Sequence, residues 1–326
     1  MDEVSVNRFC SQYLQLERDL DYPTGQLLRE AHVQDALHHR LFAGDALAHP
    51  PPARYQVRVL KELVSRIEAS IDDWEEHGVS DDLMAQLSEL LAAPMPEELI
   101  AVQQKAYVTY SQSLLSGDSG RAISSRPAAP PGFGPGKPLS IWANTSAHPS
   151  LVQDKRVLEL GAGTGYVSIL CAKHLAPSQV IASDGSDDVV ANLPENFYLN
   201  GLQDSRAISA MDLKWGHALV GTEEAEWNGG QPIDLVLGAD VTYDESVIPS
   251  LVATIDDLFD MFPRVLVIIT ATERNRQTFD AFINVCQKRT LDIEEVKFDI
   301  TPQDAQTGPF YSDKVPIRIC RITRGR

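Results

Sequence analysis

Two textures of apolar and polar positions divide this chain. In "RYQVRVLKELVSRIEASIDDW", Val57, Leu60, Val64, Ile67, Ile71 and Trp74 recur at steps of three and four. Arg58, Lys61, Glu62, Arg66, Glu68 and Asp72 occupy the other sides, so the pattern predicts an amphipathic helix with one buried stripe. "HPPPAR" ahead of it is a stop-and-start signal. Further helices are expected near 3–19, 25–42, 80–92 and 96–115, which makes 1–116 a helical N-terminal domain. Residues 117–140 hold 14 Gly, Pro or Ser in 24, a composition that predicts a linker or mobile loop rather than a packed element. From residue 155 the texture changes. "KRVLEL", "QVIAS", "PIDLVLGAD" and "RVLVIIT" are short β-branched apolar runs separated by helical stretches. Strands alternating with helices imply a parallel sheet covered on both faces over 141–326. "EEVKFDI" and "VPIRICRI" read as two closing strands.

Candidate chemistry sits at the ends of these strands. "VLELGAGTGYVSIL" runs out of the first strand into Gly161, Gly163 and Gly165 and enters a helix near Tyr166. Glycine permits positive φ and lets a ligand approach the backbone, and the helix start offers unpaired N–H groups. The spacing is GxGxG rather than the dinucleotide GxGxxG, and the bulky Tyr166 stands where that pattern takes a small residue. A tight turn without ligand stays open at this point. "QVIASDG" ends in Asp184, 19 residues after Gly165, where a carboxylate can accept hydrogen bonds from both ribose hydroxyls of a nucleotide cofactor. Its alternative is a cap for the next helix, although Ser186 is available for that. Trp215, in "MDLKWG", offers a stacking face or ordinary core packing. "DLVLGADVTYD" places Asp240, Val241, Thr242 and Tyr243 just past a strand end, with a loop-bracing Asp and a packing Tyr as the plainer reading.

Composition narrows the field. The net charge is −18, spread over both halves, and no basic patch suits a nucleic acid or a membrane surface. Cys10, Cys171, Cys286 and Cys320 form no CxxC pair and are expected to be reduced, mostly buried thiols of a cytosolic or nuclear protein, with the cytoplasm as the expected location. The eight histidines show no ligand spacing, so no metal is expected. The N-terminus is acidic and broken by charge, unlike a signal peptide, and the most apolar stretch, Val265–Thr270, is too short to span a bilayer.

The GxGxG loop preceded by Glu159 resembles motif I of class I S-adenosylmethionine-dependent methyltransferases. The D-x-x-Y of Asp240 and Tyr243 resembles the post-strand-four signature of family 16, the seven-β-strand protein-lysine methyltransferases. The order "KRVLELGAGTGYVSILCAKHL", "VIASDG", "MDLKWG", "DLVLGADVTYD", "ATERNRQTFDAF", with "RYQVRVLKELVSRIEASI" before it, is similar to the elongation factor 2 lysine methyltransferase branch. The resemblance implies a Rossmann-like seven-stranded methyltransferase sheet, its last strand antiparallel, with an N-terminal α-helical domain. It implies S-adenosylmethionine held by Glu159, Gly161, Gly163, Gly165, Asp184, Asp212, Leu213, Trp215 and Ala239, with Trp142 covering it. Asp212 and Leu213 would frame the adenine, Asp240 would align the incoming lysine ammonium, and Tyr243 would line the channel. It also implies a protein substrate, elongation factor 2, and the chain is expected to act as a monomer. In one place the chain departs from the branch: "PLSIWANTSAHPSLV" keeps Trp142 but lacks the Thr-Gly and Ala-Ala that flank this Trp in related enzymes. The residues alone leave open another protein lysine, a small amine, or a non-catalytic interaction module.

Overall fold

Strands and helices broadly follow the two textures, and the largest departure lies near their junction. The structure, a computed structural model, describes residues 2–44, 47–94, 105–111, 121–127, 148–217 and 230–324. The chain divides into two compact units, Met1–Gly134 with Gln306–Phe310, and Pro135–Ala305 with Tyr311–Arg326.

The first unit contains α1 (Asp2–Leu14), α2 (Gly25–Leu28), α3 (Ala31–Leu41), α4 (Ala53–Ser70) and α5 (Asp81–Ala92). The α4 stripe buries Leu60, Val64 and Ile67 against Phe9, Tyr13, Leu37 and Leu83. Burial of such stripes, rather than helix propensity alone, is what holds short helices together. Trp74 leaves the expected stripe because α4 ends at Ser70, and its ring is 61% exposed. The helix expected over 25–42 is broken in two, with Glu30 as the N-cap of α3.

The largest departure is a hairpin. The helix expected over 96–115 is instead strand β1 (Lys105–Ser111) in its described part, and β2 (Arg121–Pro127) lies within the expected linker. The two pair antiparallel from Lys105↔Pro127 to Ser111↔Arg121. Along β1, Ala106, Val108 and Tyr110 are buried and Tyr107 and Thr109 half-buried, the alternation of a strand with one covered face. Paired backbone, supplied by β1, makes a strand of a segment whose own composition reads as loop.

The second unit is built on a seven-stranded sheet. Its strands are β3 (Arg156–Leu160), β4 (Gln179–Asp184), β5 (Ile208–Asp212), β6 (Leu235–Ala239), β7 (Leu266–Thr272), β8 (Leu291–Val296) and β9 (Ile317–Arg324), in the spatial order β5-β4-β3-β6-β7-β9-β8. β3 to β7 pair in parallel, while the final strand inserts antiparallel between β7 and β8. The expected fold is therefore the observed one. Helices α6 (Tyr166–His174), α7 (Asp187–Leu199), α8 (Ile248–Met261) and α9 (Arg276–Lys288) connect the strands. β3 is buried on both faces, with Val157, Leu158 and Leu160 fully buried, as a central parallel strand must be. Chain order reverses on either side of β3, whose neighbours are β4 and β6. A crevice at the carboxyl ends of the strands is the usual ligand site of such a sheet. All four cysteines are buried, and none is in a disulfide.

Candidate active site

The turn after β3 is shaped by its glycines. Gly161, Gly163 and Gly165 have φ of 66°, 56° and 73°, a region that costs other L-residues energy. Each has a different reason to lack a side chain. A Cβ on Gly161 would lie 2.9 Å from Val241 Cγ1 and 3.1 Å from Trp215 Cζ2, so the β6 and β5 loops close directly on the bend. A Cβ on Gly165 would lie 2.8 Å from Leu193 Cδ2, so this glycine lets α6 pack on α7. Around Gly163 there is open space, which leaves its backbone approachable. Gly165 is also the N-cap of α6 and takes the helix-packing role that the dinucleotide pattern gives to the residue after it.

Asp184 ends β4 and faces this bend. Its Oδ2 accepts from Gly163 N at 3.1 Å and its Oδ1 from Ser186 N at 3.1 Å. A carboxylate has about four acceptor positions, so two remain for a pair of vicinal hydroxyls. Ala162 N donates to Ser183 O at 2.8 Å and Asn196 Nδ2 to Thr164 O at 3.0 Å, which fix the bend from both sides.

Beneath the bend lies Glu159, 2% exposed. One carboxylate oxygen accepts from Ser168 N at 3.0 Å and Ser168 Oγ at 2.5 Å. Burial pushes this carboxyl up to about 7, the Ser168 hydrogen bonds oppose the rise, and the Asp184 charge adds to it. Glu159 thus joins strand to helix from below. Ser168, nine residues on, went unnoticed in the sequence, where a Ser in an apolar helix carries no separate signal.

The pair expected to frame the adenine splits by environment. Leu213 is buried, its N donating to Asp184 O at 3.0 Å, while Asp212 is exposed and lies 3.7 Å from Lys214 Nζ. Trp215 packs on the sheet core as well as on Gly161, and its Nε1 is buried with no hydrogen-bond partner among the described residues. Trp142 lies outside the described residues.

Past β6, Ala239 leads into Asp240, which is 7% exposed and holds φ of 55°, a conformation that Asp tolerates better than most residues. Asp240 N donates to Thr270 O at 2.7 Å and its Oδ1 accepts from Thr272 N at 3.1 Å, so the turn is fastened to the end of β7. Its Oδ2 lies 4.0 Å from Arg274 Nη1. Tyr243, three residues on, is 66% exposed. Arg274 stands in the quoted "ATERNRQTFDAF", but the sequence assigned it no role.

Approachable backbone at Gly163, a carboxylate with spare acceptor positions, the apolar Leu213 and an unsatisfied indole N–H fit an adenosyl group with its ribose. A family model described as "Lysine methyltransferase" matches residues 137–289. The chain is 51% identical over 328 residues to "Protein-lysine N-methyltransferase EFM3" of Chaetomium thermophilum, covering 97% of each chain. It is 26% identical over 308 residues to human "Protein-lysine N-methyltransferase EEF2KMT", covering 89% of this chain and 86% of that one. Among solved structures it resembles a precorrin-6y C5,15-methyltransferase from Geobacter metallireducens, with TM-score 0.40 and 13% identity over 57% of this chain and 87% of that one. At 51% identity over 97% of its length to the Chaetomium protein, the chain belongs to the protein-lysine N-methyltransferases.

Proposed function

We propose that this enzyme methylates a lysine of elongation factor 2, with Asp184 and the glycine bend holding the cofactor and Asp240 and Tyr243 receiving the lysine. The observation that carries the site is Asp240, buried at the end of β6 in a left-handed conformation, with the exposed Tyr243 three residues beyond it. The substrate rests on the relatives, one of them named EEF2KMT, which span nearly the whole chain. A cytoplasmic monomer suits such a substrate, and no helix among the described residues is long and apolar enough to cross a membrane.

Bound S-adenosylmethionine supplies a methyl group on a sulfonium centre. The chain supplies position and field. The attacking lysine must be neutral, yet with a reference pKa of ~10.4 only about one lysine in 2,500 is neutral at pH 7. A partly desolvated pocket beside a cationic donor disfavours the ammonium. Asp240 aligns the incoming ammonium, water takes the proton, and Tyr243 orients the free amine. Glu159 is too deeply buried to reach a substrate and serves the bend from below.

Transfer of labelled methyl groups to purified elongation factor 2 tests the reading, with the wild type beside Asp240→Asn. Asn tolerates the same backbone angle and still accepts from Thr272 N. The variant is expected to lose transfer by at least about a hundredfold while binding cofactor within a few fold. Full transfer by Asp240→Asn removes the site assignment. Labelling of another lysate protein in place of elongation factor 2 removes the substrate and keeps the chemistry.

A further inference from the structure

The segment after β7 brings a cation to the acceptor carboxylate. Arg274 N donates to Thr272 O at 2.8 Å and Glu273 N to Pro316 O at 2.8 Å, so the backbone leading to Arg274 is fastened. On its other side Asn275 caps α9, its side chain accepting from Gln277 N at 2.9 Å. Held at both ends, Arg274 places Nη1 4.0 Å from Asp240 Oδ2, while half its side chain stays exposed. The neighbouring charges are engaged elsewhere. Glu273 is bound by Arg318 of β9 at 2.6 Å, which also holds Glu295 of β8 at 2.6 Å. Arg276 pairs along its own helix with Asp280 at 3.8 Å, and Asp244 accepts from Ser246 N at 2.8 Å. Glu245 faces Thr278 of α9 at 3.4 Å. Across the bend, Glu159 is tied to Ser168 and Asp184 to Gly163 and Ser186. Among the described residues, Arg274 is thus a cation that the fold brings to Asp240 from the β7 side.

We propose that Arg274 is a positioning residue that offsets the charge of Asp240, so that a lysine drawn in as ammonium can still shed its proton in the pocket. The inference rests on the assignment of Asp240 above. A buried carboxylate alone poses a conflict: it attracts the ammonium and, by the same attraction, holds the proton on it. A nearby guanidinium, charged at every working pH, lowers that attraction without blocking the site. It also gives the carboxylate a cation to face before the substrate arrives, which the lysine then partly displaces. The result is a pocket whose added charge is close to zero and which accepts the amine in either protonation state.

The arrangement makes a prediction that a merely structural role does not share. With purified elongation factor 2 as acceptor, the full-length Arg274→Gln enzyme is expected to show an unchanged or lower KM for the protein. Its kcat at pH 7 should fall about tenfold, because a lysine held one pH unit more firmly is neutral ten times less often. The loss should shrink as pH rises through the pKa of the bound lysine, and Arg274→Lys should follow the wild-type curve. Cofactor binding measured by calorimetry should stay within about twofold, which also shows that the variant is folded. An Arg274→Gln curve parallel to the wild type at every pH, whether equal or uniformly lower, overturns the proposal. If Asp240→Asn is inactive in the same series, that outcome removes Arg274's role alone; if Asp240→Asn is fully active, both assignments go.

Discussion

Glu159→Gln is the sharpest perturbation of the glycine bend. In the folded chain burial lifts the Glu159 carboxyl from about 4.5 to about 7, with the Asp184 charge adding to the rise. Because the folded value is above the unfolded one, the folded state binds more protons between these limits, and stability falls as pH rises. Below about 4.5 both states are protonated and the group contributes nothing; above about 7 the destabilisation is complete. A shift of that size corresponds to roughly 3 kcal/mol in full, of which about 2–3 kcal/mol develops between pH 5 and pH 8. Gln has nearly the same shape, keeps an acceptor for Ser168 N and does not titrate. Urea unfolding of the two proteins by circular dichroism across pH 5 to 8 reads the difference directly. The stability of Glu159→Gln relative to the wild type should climb by about 2–3 kcal/mol over that range. A difference that stays constant with pH would mean that Glu159 does not titrate there, and the burial reasoning fails. Ser168→Ala should move the wild-type transition to higher pH, since both hydrogen bonds from Ser168 favour the charged form and the hydroxyl supplies one of them.

Asp184→Ala removes the acceptor at the end of β4 and should weaken S-adenosylmethionine binding by about 1–3 kcal/mol, roughly 5- to 150-fold, in calorimetry; binding within twofold of wild type would place the ribose elsewhere. Gly165→Ala puts a Cβ in a left-handed backbone 2.8 Å from Leu193 Cδ2 and should cost about 2–4 kcal/mol, seen as a melting transition lower by roughly 5–15 °C. Gln15→Ala acts in the first unit: Gln15 accepts from Phe310 N at 2.9 Å and donates to Phe310 O at 2.8 Å, both buried. Losing both bonds should speed hydrogen exchange at the Phe310 amide by about tenfold or more, and unchanged protection would show that the segment is held by other contacts.

Local pattern and tertiary pairing divided the work unevenly. The placement of the glycines at 161, 163 and 165, of Glu159 and Asp184 near the ends of β3 and β4, and of Asp240 with Tyr243 past β6 was legible, because each signal lies within a few residues of a strand end. The helical stripe of α4 was legible in part: Leu60, Val64 and Ile67 are buried as expected, while Val57 is half-buried and Val59 and Leu63 join the buried face. Trp74 was misplaced because periodicity continues on paper past the residue where the helix stops. At 105–111 the Tyr-Val-Thr-Tyr run carried the strand signal, yet the helical texture before it outweighed it. At 121–127 there was no local strand signal to find, since a partner strand made the element.

What the amino-acid order determined by itself, then, was which segments could be helix or strand and which short motifs could face a cofactor, because backbone preference and alternation act between near neighbours. The tertiary structure alone decided the strand order β5-β4-β3-β6-β7-β9-β8 and the grouping of residues 306–310 with the first unit. It also decided the pairs Glu159–Ser168 and Asp240–Arg274. These depend on which buried surfaces and unpaired backbone groups meet across the folded chain, and on the energy gained when they do. That energy belongs to the packed arrangement and to no single stretch of residues.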